Sequence, residues 1–140
     1  MSEPTGRRAP GAQAGPALQP GHPVHPGHGH IVLRFSDGTE HRLRGMTLVG
    51  RSPQAEPGEV ITDLVSVVDP GRSVSKTHLL VGMDARGLFV QDRSSTNGTV
   101  VTLPDAQQIL CGESQTVRVP AGATVSFGDL GFVADAVEQD

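Results

Sequence analysis

After residue 30 the chain alternates apolar and polar positions in short runs with a two-residue period. The plainest case is a pair of runs, His78–Met83 and Gly87–Asp92, in which Leu79, Val81 and Met83 and then Leu88 and Val90 keep the period. Asp84-Ala85-Arg86-Gly87 joins them as a turn. This is the signature of two half-buried strands in a hairpin. A second hairpin is predicted from Ile31–Phe35 and Thr39–Leu43, because Asp37-Gly38 between them supplies the positive-φ positions of a tight turn. Met46–Val49, Leu64–Val68, Thr99–Leu103, Gln107–Cys111, Thr116–Val119, Thr124–Phe127 and Gly131–Val137 carry the same pattern between Pro, Gly and Asp breaks. No stretch has the period of an amphipathic helix. The chain is therefore all-β, a β-sandwich of about eleven short, mainly antiparallel strands.

The central hairpin fixes where chemistry can gather. In an antiparallel pair the start of one strand lies beside the end of the other. The loop before it, Ser73-Val74-Ser75-Lys76-Thr77, must then meet the loop after it, Ser94-Ser95-Thr96-Asn97-Gly98-Thr99, at one sheet end. Small hydroxyl and amide donors converge there, as an oxyanion site needs.

Composition narrows the picture. Tyr and Trp are absent and there are four Phe, so the core rests on Val, Leu and Ile. Residues 1–30, rich in Pro, Gly and His, read as a disordered linker or tail ahead of a domain at 31–137, since they hold too little apolar surface to offset their ordering entropy. The spaced His22, His25, His28 and His30 are read as composition rather than as a metal site. The chain carries 11 Lys and Arg against 15 Asp and Glu, with no basic stripe, which argues against general nucleic-acid or anionic-membrane binding. The single Cys111 cannot form an internal disulfide, and no signal peptide or membrane-length run is seen. A cytoplasmic setting is expected, including as the soluble part of a larger, membrane-attached protein.

Three blocks then stand in order: Gly50-Arg51, Ser75-Lys76-Thr77-His78 and Asn97-Gly98. Together they resemble the G-R, S-R-x-H and N-G blocks of the forkhead-associated (FHA) domain. Two departures are Lys76 in place of the second-block Arg, and a longer, Pro- and acid-rich segment after Arg51. The resemblance implies an eleven-stranded β-sandwich whose loops at one end bind phosphothreonine peptides. It also implies structural roles for Gly50, His78 and Gly98.

The residue chemistry agrees. A phosphothreonine carries about −1.5 to −2 charges and three acceptor oxygens, so its pocket needs a strong cation among neutral donors. Arg51 offers a planar fork, Ser75 a short hydroxyl, and Lys76 a secondary point charge. Thr96 adds a hydroxyl, and Asn97 can fix the register of a peptide backbone. The blander alternatives are a solvated cation at Arg51, a turn hydroxyl at Ser75 and a simple Asn-Gly turn. Arg72 and Arg93 flank the loops and read as solvated surface cations. The acidic Ser52–Asp63 loop is the candidate for selecting residues beyond the phosphate, disfavouring acidic flanks by repulsion.

Enzymatic readings fail on spacing. Ser73-x-x-Lys76 and Lys76-Thr77-His78 mimic marks of penicillin-recognising enzymes but overlap within one loop. Ser75-x-x-His78 lacks an orienting acid and an oxyanion hole. No Gly-rich phosphate loop ending in Lys-Ser/Thr is found. The expectation is a cofactor-free recognition module, not an enzyme, whose partner is a phosphothreonine-containing protein marked by a Ser/Thr kinase. The rival is a phosphate-independent scaffold with a vestigial clamp, favoured by Lys76 and the acidic net charge.

Overall fold

The computed structural model of the chain describes residues 29–113 and 115–137, so the expected tail at 1–30 falls almost wholly outside the described residues. Among the described residues eleven strands form: β1 (His30–Phe35), β2 (Glu40–Leu43), β3 (Thr47–Gly50), β4 (Asp63–Ser66), β5 (Leu79–Asp84), β6 (Gly87–Asp92), β7 (Thr99–Thr102), β8 (Gln108–Leu110), β9 (Thr116–Arg118), β10 (Thr124–Phe127) and β11 (Leu130–Val137). Each predicted run becomes a strand within a residue or two of its expected ends. No helix among the described residues is long and apolar enough to cross a membrane.

The strands build two stacked sheets, one ordered β2-β1-β11-β10-β7-β8 and the other β4-β3-β5-β6-β9. Alternation decides what lies between them. On β1, Ile31, Leu33 and Phe35 point inward; on β5 and β6, Leu79, Val81, Leu88 and Val90 do. Three of the four Phe meet at the centre, with Phe35 5.5 Å from Phe132 and 6.2 Å from Phe127 between ring centroids. The fourth, Phe89, lies on the outer face of the five-stranded sheet in a separate cluster with Leu48 and Leu80. Ile61 and Met46 pack against that cluster from outside.

One pairing departs from the antiparallel expectation. β4 runs parallel to β3, with Thr47 opposite Asp63 and Gly50 opposite Ser66. The reason is the long connection at 51–62, which crosses back along the sheet before β4 begins, as a parallel pair requires. The two lateral seams of the sandwich differ in kind. Where β2 faces β4, Arg44 forms a two-pronged pair with Asp63 (2.6 and 3.2 Å) and His41 lies 3.5 Å from the same carboxylate. Where β8 faces β9, the sheets part around an apolar cavity of about 270 Å³ lined by Leu88, Leu103, Ile109 and Val117, with Arg86 and Arg118 beside them.

Candidate functional site

β3 delivers Arg51 to one end of the sandwich, and the close approach of two backbones sets how. A Cβ on Gly50 would lie 2.0 Å from the Lys76 carbonyl oxygen, so only glycine lets β3 pass this loop. The Arg51 N–H then donates to Ser75 O (3.1 Å), and the Ser52 N–H to Lys76 O (3.0 Å). The exposed Arg51 side chain is anchored by its Nε, which donates to Val74 O at 2.6 Å. Among the described residues its two terminal nitrogens have no hydrogen-bond partner, so the outer fork of donors is open to solvent.

His78 ties both loops of the central hairpin together. It is fully buried, its Nδ1 accepts the Ser75 N–H (3.1 Å), and its Nε2 lies 2.8 Å from Gly98 O. Since Nδ1 accepts, the ring proton resides on Nε2 and is donated to Gly98. Gly98 takes φ +82°, a conformation glycine adopts without strain. The ring also stands edge-on to Phe127, at 5.7 Å between centroids, so the tie is packed into the core.

With the loops held this way, the predicted residues come together. Ser75 Oγ accepts the Thr96 N–H (3.0 Å), which leaves its own proton free to donate outward. Asn97 donates through Nδ2 to Ser73 O (2.8 Å), so part of the amide expected to grip a ligand is spent inside the loop; its Oδ1 and second N–H stay available. Lys76 and Thr96 are exposed. Arg51, Lys76 and Arg72 border the same loops, and among the described residues none of them pairs with a carboxylate.

Several supports of the site were not foreseen. Buried Asp92 accepts the Thr99 hydroxyl (2.7 Å), the Ser95 N–H (3.0 Å) and the Ser95 hydroxyl, fixing the loop that carries Thr96 and Asn97. An Asp at a strand end followed by two serines was the available signal. Asp69 accepts the Val74 N–H (2.7 Å) and the Ser73 hydroxyl (3.2 and 3.3 Å). Burial opposes ionisation at Asp69, yet the hydrogen bonds from Val74 and Ser73 outweigh it and hold the carboxyl below its usual range.

Arg93 is not the solvated cation expected. Its side chain is only 14% exposed and makes a two-pronged pair with Glu59 (2.8 and 3.0 Å), with Glu56 3.7 Å away. This pins the 51–62 segment to the loop after β6, and the Gln54 N–H adds a bond to Thr77 Oγ1 (3.0 Å). The Arg93 guanidinium holds Glu59 below the ordinary carboxylate range, and Arg44 does the same to Asp63. Of the three acids in Ser52–Asp63, Glu59 and Asp63 are thus paired with arginines, which weakens the repulsion expected of that loop.

The same architecture occurs in solved structures. One is an FHA domain from work on phosphothreonine-dependent FHA interactions, 22% identical, TM-score 0.54, covering 79% of this chain and 97% of that one. Another is the FhaA FHA domain in complex with the intracellular domain of Rv3910, at 23% identity and TM-score 0.54, covering 75% and 99%. The FHA domain of the CT664 protein from Chlamydia trachomatis gives 20% identity, TM-score 0.55, and coverage of 79% and 99%. At such identities the likeness speaks for the fold. No curated protein matches the chain by sequence. The family model of the FHA domain matches residues 47–128, more than half of the chain and all three motif blocks, and the chain therefore belongs to the FHA domain family.

Proposed function

We propose that the loops carrying Arg51, Ser75, Lys76, Thr96 and Asn97 form a clamp for phosphothreonine in an extended peptide, and that the domain couples phosphorylation by a Ser/Thr kinase to protein association. The observation that carries this reading is the state of Ser75. Its Oγ accepts the Thr96 N–H, and among the described residues the hydroxyl donates to no protein acceptor, so its proton is free for a ligand. Arg51 is anchored through Nε to the Val74 carbonyl (2.6 Å), and among the described residues its two terminal nitrogens stay unpaired. Neutral donors and one rigid cation, arranged before any ligand arrives, suit a dianion in a chain of net charge −4. Lys76 contributes charge without a fork, and Asn97 reads the peptide backbone with the amide groups it keeps free. Family membership points the same way, because an FHA structure matched above comes from phosphothreonine-dependent interactions. The role is recognition, not catalysis.

The test is binding of the full chain to a degenerate phosphothreonine peptide library, beside phosphoserine and unphosphorylated versions, with Arg51→Ala as control. Losing one charged partner of a bound phosphate costs about 2–5 kcal/mol, so Arg51→Ala should all but abolish binding. Affinity should also fall as salt rises. A folded protein that binds no phosphopeptide, or binds phosphorylated and unphosphorylated forms alike, refutes the clamp and favours a phosphate-independent scaffold.

A further inference from the structure

β4 ends the five-stranded sheet, and among the described residues only one of its edges is paired. The Asp63 and Val67 N–H groups donate toward β3, to Met46 O (3.2 Å) and Gly50 O (2.9 Å). Successive residues of a strand turn their backbone groups to opposite edges. The N–H and C=O of Leu64 and Ser66 therefore face away from β3, and among the described residues no strand pairs with them. The side chains of this alternate set are exposed: Leu64 is 54% exposed, Ser66 is exposed, and Val68, just past the strand, is 79% exposed. Val65 and Val67 turn inward onto the core. Leu64 is in register with Leu48, so its side chain extends the outer-face apolar cluster to the sheet edge. Natural edge strands are commonly blunted by charge, proline or a bulge. The outward residues of β4 carry none of these.

We infer that this edge takes a second stretch of the phosphorylated partner: an extended, alternately apolar segment that adds a strand beside β4 while its phosphothreonine occupies the clamp. The inference rests on the clamp reading above and names the partner's chemistry more fully. Continuity favours that occupant. β4 runs into Val68 and Asp69, and Asp69 holds Ser73 and Val74, whose carbonyl seats Arg51. The end of the open edge and the anchor of the clamp are thus joined through Asp69, and Ser66 stands opposite Gly50, the residue before Arg51, so the edge and the clamp lie toward the same end of the sandwich. Main-chain pairing supplies affinity, and Leu64 and Val68 select apolar side chains at alternate positions.

The experiment compares short phosphothreonine peptides with the same peptides extended on either side by an alternating Val-Thr segment, bound to the full chain. One extension should tighten binding by about tenfold, a gain typical of a few main-chain bonds with apolar contacts. Ser66→Pro removes an outward N–H without touching the β3 pairing, and Leu64→Glu places charge on the stripe. Both should erase the gain while the short peptide binds as before. As a readout that needs no variant, hydrogen exchange at the Leu64 and Ser66 amides should slow with the extended peptide and not with the short one. Extended peptides that bind no tighter, or a gain and exchange pattern indifferent to β4, overturn the inference. Absence of short-peptide binding instead brings down the clamp reading, and this proposal with it.

Discussion

Replacing His78 tests whether the site is held from inside the core. The imidazole is fully buried and makes two side-chain hydrogen bonds, to the Ser75 N–H (3.1 Å) and Gly98 O (2.8 Å). In His78→Ala each lost bond costs about 1 kcal/mol, so the pair contributes about 2 kcal/mol. Removing the ring also leaves a cavity against Phe127, worth about 1–2 kcal/mol more if the loops cannot collapse into it. The total of about 3–4 kcal/mol would lower the melting temperature by about 12–20 °C in a domain of this size, which should still fold. Two milder variants separate the bonds. His78→Asn can restore an acceptor for Ser75, and His78→Gln a donor for Gly98, each recovering about 1 kcal/mol. Equilibrium urea unfolding of all three, with amide exchange at Ser75, measures this directly. A loss under about 1 kcal/mol for His78→Ala, or Asn and Gln variants no better than Ala, would show that the ring merely fills space and that the two loops hold themselves.

Other consequences are as direct. Gly50→Ala puts a methyl within 2.0 Å of Lys76 O and 2.9 Å of Ser75 O, both backbone atoms, so melting should show a loss of about 1–3 kcal/mol and phosphopeptide affinity should fall as Ser75 is displaced. The Arg93–Glu59 tether depends on an ionised Glu59, whose folded pKa is depressed by Arg93. Its contribution is therefore present above the ordinary glutamate value of 4.5 and is lost as pH falls through the lower folded value. Amide exchange across 52–62 should accelerate below that range, and in Glu59→Gln it should be fast at neutral pH already; slow exchange throughout would mean that the remaining ties, the Gln54–Thr77 bond and the packing of Ile61 among them, hold the segment without the ion pair. Burial, with Asp92 nearby, pushes the Cys111 thiol up to about 11, so iodoacetamide should label it slowly at pH 8 in the native chain and quickly in urea.

What was legible in the sequence was local. A two-residue period says which side chains share a face, and Asp-Gly or Pro-Asp pairs say where a strand stops, so all eleven strands and the meeting of the two donor loops could be read from neighbours along the chain. Pairings between distant residues could not. Arg93 and Glu59 are 34 residues apart, and nothing near either one names the other. Asp92 looked like the polar end of a strand because the three bonds it accepts come from Ser95 and Thr99, in and just after the loop it shapes. The sense of β4 was hidden for a related reason: alternation fixes the face of a strand and says nothing of its direction. That direction has a functional consequence. Had β4 returned antiparallel through a short turn, its last residue would sit at the end of the sandwich opposite Arg51. Because the 51–62 segment instead crosses back along the sheet, Ser66 lies opposite Gly50, and the chain emerges as Val67, Val68 and Asp69 beside the clamp. The unusual length of that segment, which in the sequence looked like an insertion with a selective role of its own, is what brings Asp69 to Ser73 and Val74 and sets the end of β4's open edge on the side of the proposed clamp.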